Sequence, residues 1–190
     1  MCVEYRALNH ITAKDKYPLL RIDDPLDRLK SAKMFRSLDL QSVYRIANVD
    51  VQKTAFRTHE GLYEFLVLLF GLTNAPTAFQ REMNVVFDHL DHVLVYLDDI
   101  LVFSHSEEDH QRHLSEVLGL LRNHRLFAKL SKCSLFGREA KFLGHLVIEE
   151  GIRADPDKVA AVLDWPFPRN VQEMRSFLGL ANHLKRTSQC

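Results

Sequence analysis

The chain has little cysteine, little glycine and no net charge, and each absence excludes a class of protein. Three cysteines in 190 residues, without Cys-x-x-Cys spacing, argue against a disulfide framework and against a cysteine-based zinc site. The seven glycines are scattered, and neither an internal repeat nor a low-complexity tract interrupts the chain. Basic and acidic residues number 25 each, so the overall charge indicates neither a nucleic acid nor a membrane as partner.

Long apolar runs are also missing. No run reaches the roughly 18 residues that a membrane-spanning helix needs. Residues 1–20 carry acids and bases where a signal peptide requires an apolar core. The sequence therefore predicts a reduced, intracellular protein that is neither secreted nor inserted into a membrane.

The residues that are present predict a globular α+β domain. Hydrophobic residues make up 46% of the chain, enough for a sizeable core. Strand and helix patterns alternate without the regular βαβ rhythm of a doubly wound sheet. The predicted helix starts are at Asp24, Asn74, Ser106, Asp155 and Asn170, and the predicted strands cover residues 34–40, 54–58, 62–66 and 142–148 besides a hairpin at 93–103.

The most informative stretch is residues 93–103, VLVYLDDILVF, in which two β-branched and aromatic runs flank Asp98 and Asp99. The runs have the length and composition of buried strands, so they predict a β-hairpin with two carboxylates at its tip. The tightest hairpin turns favour Asp-Gly or Asn-Gly, and no glycine is present, so turn formation alone does not explain both aspartates. Carboxylates about 4 Å apart repel by roughly 4 kcal/mol at an effective dielectric constant of about 20, so we expect a cation here.

A third carboxylate lies on a separate predicted strand. Residues 34–40, MFRSLDL, alternate as a strand does and place Asp39 on the same face as Phe35. If this strand pairs beside the hairpin, Asp39, Asp98 and Asp99 converge at one edge of a sheet. Such oxygen donors are typical of two-metal sites for phosphoryl transfer. The spacing alone leaves a polymerase, a nucleotide cyclase and a nuclease open.

Two further stretches carry basic or metal-binding side chains. Between Arg122 and Lys141 stand six basic residues and one acid, Glu139, an excess that suits the backbone of a polyanion. The alternative for this stretch is a solvated charged face. His110 and His113 are spaced i, i+3, as metal ligands can be, but a solvated polar helix face is the interpretation that we favour.

A series of motifs resembles the reverse transcriptases of gypsy-type long-terminal-repeat retrotransposons. Tyr96-Leu97-Asp98-Asp99 resembles their YxDD motif, and Leu38-Asp39-Leu40 resembles their first catalytic motif. Residues 70–80, FGLTNAPTAFQ, are similar to the FGLxNAPxxFQ block of that family. The series covers nearly the whole chain in the family's order, so it is far more specific than YxDD alone. Further matches are YRALN at 5–9, DKYPL at 15–19, RIDD at 21–24, KTAFRT at 53–58, FLGH at 142–145 and RSFLGL at 175–180.

The resemblance implies roles for individual side chains. Asp39, Asp98 and Asp99 would hold two Mg²⁺ ions, with Mn²⁺ as the alternative, that align a primer 3′-hydroxyl with an incoming deoxynucleoside triphosphate. Lys132 resembles a lysine near the pyrophosphate leaving group. Tyr44 stands where the family has the side chain that stacks under the sugar and rejects a 2′-hydroxyl. The other implied contacts are with the nucleotide, at Phe70, Gly71 and Gln80, and with primer or template, at Arg6, Tyr96, Phe142, Leu143, Gly144 and His145.

The resemblance also implies an architecture, partners and a location. The fold would be the palm of a right-handed polymerase, an antiparallel sheet packed on helices, with partial fingers and palm at 1–150 and the start of the thumb or connection region at 151–190. The partners would be an RNA or DNA template with its primer, deoxynucleoside triphosphates and other segments of a polyprotein. The location would be a cytoplasmic virus-like particle or the nucleus.

The chain also departs from the family pattern. Residues 42–46, SVYRI, read as though HQI had been lost from the first motif, and such a loss within a strand would swap the faces of the side chains that follow. The chain is expected to start inside the fingers and to end inside the thumb. The leading hypothesis is an RNA-directed DNA polymerase domain. The alternative is an inactive or co-opted remnant that only binds nucleic acid, and the FGLTNAPTAFQ block argues against a nucleotidyl cyclase.

Overall fold

The computed structural model describes residues 3–18, 27–29, 31–41, 44–69, 71–133 and 137–187, and it confirms the α+β prediction. The strands within these residues are β1 (Met34–Asp39), β2 (Phe56–Arg57), β3 (Leu62–Tyr63), β4 (Val93–Tyr96), β5 (Asp99–Ser104), β6 (Glu139–Phe142), β7 (His145–Ile148) and β8 (Gly151–Ala154). The helices are α1 (Arg6–Ile11), α2 (Ala75–Phe87), α3 (Glu107–Asn123), α4 (Pro156–Leu163) and α5 (Val171–Thr187), with 3₁₀ turns at Asp27–Leu29, Val51–Thr54 and Leu130–Lys132.

The central sheet contains three antiparallel strands in the order β1-β5-β4. β4 and β5 form the predicted hairpin, and β1 pairs with β5 along its whole length, from Met34 opposite Ser104 to Asp39 opposite Asp99. The middle strand β5 is buried from Ile100 to Ser104, as its apolar composition requires. The strand that carries Asp39 therefore lies beside the hairpin that carries the other two aspartates.

Both faces of the central sheet are covered. Ile100 and Val102 of β5 pack against α2 and α3, whereas Leu101 and Phe103 pack against the second sheet, which has the order β6-β7-β8. This division follows from the two-residue period of a strand, which sends successive side chains to opposite faces. The core on the helix side includes Leu38, Leu40, Phe79, Met83, Val86, Phe87, Val117 and Leu121, and the core on the sheet side includes Phe35, Leu94, Ala140, Phe142 and Val147.

Residues 142–148 do not form the single strand that was predicted. The backbone turns at Leu143 and Gly144, where φ is +52° and +77°, so that β6 and β7 form a hairpin. The positive φ at position 144 favours glycine, because residues with a Cβ rarely adopt this backbone conformation. A glycine inside an apolar strand pattern is the sequence signal for such a turn.

The predicted helix starts are largely confirmed. The Ser106 side chain caps α3 by accepting a hydrogen bond from the Asp109 N–H at 3.2 Å, and Asp155 caps α4 in the same way. α2 follows Asn74 and α5 follows Asn170, as predicted. The start at Asp24 lies outside the described residues. No helix in the described part of the chain is long and apolar enough to cross a membrane.

The histidines of α3 do not lie on a solvated face, contrary to the prediction. His110 is only 2% exposed, because the first turn of α3 lies against the end of β5. The hydroxyl of Ser104 lies 3.0 Å from Nδ1 of His110 and 2.8 Å from Nδ1 of His113. His92 stacks on His113 with ring centroids 3.7 Å apart. The imidazoles thus belong to a packed cluster, and among the residues described no three histidine, cysteine or acidic side chains are placed to hold a metal ion.

Candidate active site

The three aspartates meet where the central sheet ends. Asp98 lies in the turn between β4 and β5, Asp99 begins β5, and Asp39 ends β1 directly opposite Asp99. Side chains that face each other in an antiparallel pair have Cβ atoms about 4.5–5.5 Å apart. The Leu40 N–H donates to the Asp98 carbonyl at 2.8 Å, which extends the pairing past Asp39 and fixes the turn against β1.

The carboxylates influence one another electrostatically. Burial raises the pKa of Asp99 most, and the negative charges of Asp98 and Asp39 raise it further, while the positive charge of Lys132 lowers it. The Asp99 carboxyl group resists ionisation first because burial removes it from water, and then because the nearby negative charge is not fully balanced. The sheet edge therefore favours a cation, as the sequence predicts.

Lys132 brings a positive charge to the aspartates from a distant part of the sequence. Its Nζ lies 3.0 Å from Oδ2 of Asp39, 93 residues away in sequence. The backbone around it is attached to β1, because the Lys129 N–H donates to the Asp39 carbonyl at 2.8 Å and the Gln41 N–H donates to the Phe127 carbonyl at 2.7 Å. Hydrogen bonding to Asp39 is the main reason that the pKa of Lys132 is raised.

The donor chemistry of this cluster fits a magnesium site. Carboxylate oxygens are the ligands that Mg²⁺ prefers, and Asp39, Asp98 and Asp99 share one electrostatic environment. Their present arrangement is not a closed cage, since no group of three ligands is assembled among the described side chains. One oxygen of Asp39 is instead engaged by the ammonium group of Lys132.

A cavity of about 110 Å³ opens beside Asp98. It brings together Tyr44 and Gly71, both expected to contact a nucleotide, whereas Phe70 lies outside the described residues. The ring of Tyr44 meets Phe79 edge to face at 6.1 Å, and burial together with Glu82 raises the pKa of Tyr44 to about 12. The lining residues are Tyr44, Leu68, Leu69, Gly71, Ala75, Pro76, Phe79, Leu97 and Asp98.

Gln80 lies behind the hairpin and is fully buried, so it does not line this cavity. Its Oε1 accepts from the Leu97 N–H at 2.7 Å, and its Nε2 donates to the Val95 carbonyl at 3.2 Å and to the Asn84 side chain at 2.8 Å. Leu97 has φ of +53°, a conformation that few non-glycine residues adopt. Gln80 therefore supports the turn that presents Asp98.

This role of Gln80 was not predicted, although the sequence contains a signal for it. Gln80 shares the i, i+3, i+7 spacing with Met83 and Phe87, which lie on the buried face of α2. A polar side chain on an apolar stripe needs a hydrogen-bond partner in the core, because leaving it unsatisfied is costly.

The N-terminal segment secures the rim of the cavity, which sequence reasoning also missed. Asn9 donates to the Gly71 carbonyl at 2.6 Å and accepts from the Thr73 N–H at 2.8 Å. Asn74 in turn donates to the Ala13 carbonyl at 2.8 Å. Paired side-chain amides thus hold the loop before α2 against the segment that carries the YRALN match.

The residues expected to contact primer or template do not line the cavity. Arg6 is largely exposed and pairs with Glu4. The side chains of Phe142 and His145 are buried, and Phe142 belongs to the core. Leu143 and Gly144, at the turn of this hairpin, and Tyr96 of β4 are partly exposed.

Comparison with known sequences agrees with this geometry. The family model for reverse transcriptase (RNA-dependent DNA polymerase) matches residues 1–147. The chain is 40% identical to the Retrovirus-related Pol polyprotein from transposon 297 of Drosophila melanogaster over 189 residues, which are 97% of this chain and 18% of that protein. It is 36% identical to the Transposon Tf2-3 polyprotein of Schizosaccharomyces pombe over 191 residues, 98% of this chain and 14% of that protein. The chain thus spans less than a fifth of the length of these relatives.

Solved structures show the same fold. The foamy viral protease-reverse transcriptase in complex with double-stranded DNA superposes with a TM-score of 0.88 at 23% identity, over 95% of this chain and 32% of that one. The same enzyme in complex with an RNA/DNA hybrid gives a TM-score of 0.86 at 23% identity, over 95% and 25% of the respective chains. Sequence, fold and family model agree, and the chain belongs to the reverse transcriptase family, with long-terminal-repeat retrotransposon polyproteins as its relatives.

Proposed function

We propose that this chain is the palm-containing part of an RNA-directed DNA polymerase that adds deoxynucleotides to a primer. The observation that carries the proposal is the pairing of Asp39 with Asp99 beside Asp98, next to the cavity that contains Tyr44. Residues 1–150 supply partial fingers and palm, and residues 151–190 supply the start of the thumb or connection region. The proposed location is intracellular, in a cytoplasmic particle or in the nucleus.

Asp39, Asp98 and Asp99 would hold two Mg²⁺ ions or, alternatively, Mn²⁺. When bound, these ions neutralise the developing charge of phosphoryl transfer and align the attacking and leaving oxygens. The carboxylates are suited to this task because their mutual repulsion favours occupation by cations.

The protein's own side chains would place the nucleotide. Leu68, Pro76 and Phe79 of the cavity wall would exclude water from its sugar, and the Tyr44 ring would crowd the position of a 2′-hydroxyl. Lys132 lies beside the carboxylates, where it would contact the triphosphate. We expect the template and primer to lie across the sheet edge. The foamy viral complexes with double-stranded DNA and with an RNA/DNA hybrid support a nucleic acid as partner.

Primer extension on an RNA template with Mg²⁺ tests this function. We expect extension by the 190-residue chain and none by a double variant with Asp98→Asn and Asp99→Asn. Asp88→Asn is the matched control, because Asp88 is an exposed aspartate at the end of α2. Folded protein that binds primer-template but never extends it would overturn the proposal in favour of the non-catalytic remnant.

A further inference from the structure

The contact between Asp39 and Lys132 has a consequence for the metal site. Nζ of Lys132 lies 3.0 Å from Oδ2 of Asp39, whose side chain is 22% exposed. Asp98 and Asp99 also act electrostatically on this ammonium group. Among the described cationic side chains, Lys132 is the one whose positive charge lowers the pKa of Asp99. The single positive charge of Lys132 thus partly neutralises three carboxylates, and the cluster keeps an excess of negative charge.

The ammonium group and a divalent cation compete for the same oxygen. A magnesium ion binds a carboxylate oxygen at about 2.1 Å, so an ion on Oδ2 would stand within roughly 5 Å of Nζ. Like charges this close repel by several kcal/mol at an effective dielectric constant of about 20. The contact would therefore break when a metal ion binds to that oxygen of Asp39.

The Lys132 ammonium group can move away from Asp39 with little loss of free energy while the backbone of the segment stays in place. Its side chain is 56% exposed, and ion pairs of such exposure are weak. Its four-carbon stem is flexible, so the charge can move several ångströms without a change in the main chain. The anchoring hydrogen bonds, from the Lys129 N–H to the Asp39 carbonyl and from the Lys132 N–H to the Lys129 carbonyl, both at 2.8 Å, are made by the backbone alone.

We infer that Lys132 is a displaceable counterion, which stabilises Asp39 until a divalent cation replaces it. Exchange then frees the ammonium group beside the carboxylates, where a polyanionic substrate can bind it. This inference deepens the proposed function and rests on it for the identity of the site. Lys132 becomes the residue that sets the affinity for the metal in the absence of nucleotide.

Metal binding without nucleotide or nucleic acid tests the exchange. Free Mn²⁺ is measured by electron paramagnetic resonance during titration of the 190-residue chain, of Lys132→Met and of Lys129→Met. We expect Lys132→Met to bind Mn²⁺ about fivefold more tightly, because the competing pair is gone. Lys129→Met removes an exposed charge from the same segment, so we expect its affinity to stay within about twofold of the wild type. Unchanged or weaker binding by Lys132→Met would overturn the inference.

The position of the ammonium group can be followed directly. Reductive methylation with ¹³C keeps the lysine charge, and the Lys132 methyl signal is identified by its loss in Lys132→Met. We expect this signal to move when Mg²⁺ is added to the wild type and to stay fixed in Asp39→Asn. A fixed signal in wild type that binds Mg²⁺ would contradict the exchange.

The same titrations separate this inference from the proposed function. Absence of Mn²⁺ binding by the wild type would overturn both the metal site and the exchange. Normal exchange together with a failure of primer extension would count against the polymerase proposal alone.

Discussion

At the scale of single residues, Asp99 shows a conflict between stability and function. It begins β5 directly opposite Asp39, so the pairing that assembles the site also places two carboxylates face to face. Burial and the two neighbouring aspartates raise its pKa. Like charges directly opposite each other destabilise a sheet, and functional sites often keep such a cost.

Asp99→Asn is therefore expected to stabilise the fold while it abolishes primer extension. Removal of one opposed charge should raise the free energy of unfolding at neutral pH by roughly 0.5–1 kcal/mol. Because the carboxyl pKa is higher in the folded state, the wild type binds the proton more tightly when folded. The gain from the variant should therefore shrink as the pH falls through that raised pKa. Urea unfolding at several pH values checks this, and a variant less stable than wild type at pH 7 would contradict it.

Gln80 is a second residue whose effect can be isolated. Gln80→Met leaves the Leu97 N–H and the Val95 carbonyl without their partner in a partly buried position, which should cost about 1–3 kcal/mol. Displacement of Asp98 should lower kcat by at least about tenfold, since a shift of about 1 Å can cost about a hundredfold. Single-nucleotide incorporation and urea unfolding measure the two effects. Gln111→Met, on the exposed face of α3, is the matched control, and equal effects of both substitutions would refute the role of Gln80.

At the scale of elements, the packing of α3 on β5 depends on neutral imidazoles. Ser104 lies between His110 and His113, and the latter stacks on His92. Burial lowers the pKa of His110 to about 4, with contributions from the charges of Arg36 and His113. Burial is also the main reason that the pKa of His92 is lowered. This contact between helix and strand is therefore sensitive to acid.

The fold should lose stability between about pH 6.5 and pH 4 because of His110. In that range the unfolded chain takes up a proton that the folded chain refuses, so stability falls as the pH falls and levels off below the folded pKa. A His110 pKa of about 4 corresponds to a loss of up to about 3 kcal/mol in the free energy of unfolding. Urea unfolding of the wild type should show the slope, His110→Gln should remove most of it, and His89→Gln, at an exposed site, should keep it. Identical slopes in wild type and His110→Gln would disprove this assignment.

At the scale of the whole molecule, the basic stretch at 122–141 is less available than its composition indicates. Lys132 is engaged by Asp39, and Lys141 contacts Asp155 at 3.2 Å and Asp157 at 2.5 Å, which ties β6 to α4. Arg122, Arg125, Lys129 and Arg138 are exposed. The molecule therefore presents a smaller basic surface to a nucleic acid than a count of residues predicts.

The affinity for primer-template should depend on salt through these exposed charges. Each phosphate contact contributes about −0.9 to the slope of log K against log salt concentration for duplex DNA. Arg125→Gln should therefore reduce the magnitude of the slope by about 1. Arg112→Gln removes a guanidinium that pairs with Asp109 and should leave the slope unchanged. Fluorescence anisotropy of labelled primer-template between about 50 and 200 mM salt measures the slope. A slope unaffected by Arg125→Gln would exclude that arginine from the interface.

The sequence predicted the parts of the fold that are determined by residues close to one another along the chain. The 93–103 hairpin, the caps at Ser106 and Asp155, and the strand that carries Asp39 all follow from local composition and spacing. The turn at Gly144 was missed because the apolar pattern continues through it. The burial of His110 was missed because a helical pattern does not show which element will cover a polar face.

By itself the sequence determined the family, the hairpin with its two aspartates and the presence of a third acid on a strand. Only the tertiary structure decided that Asp39 faces Asp99, that Lys132 reaches Asp39 from 93 residues away, and that Gln80 supports the turn from inside the core. The physical reason is the distance along the sequence over which each interaction acts. Caps, turns and amphipathic patterns are set within a few residues, whereas strand pairing, ion pairing and desolvation depend on segments that meet only when the chain has packed.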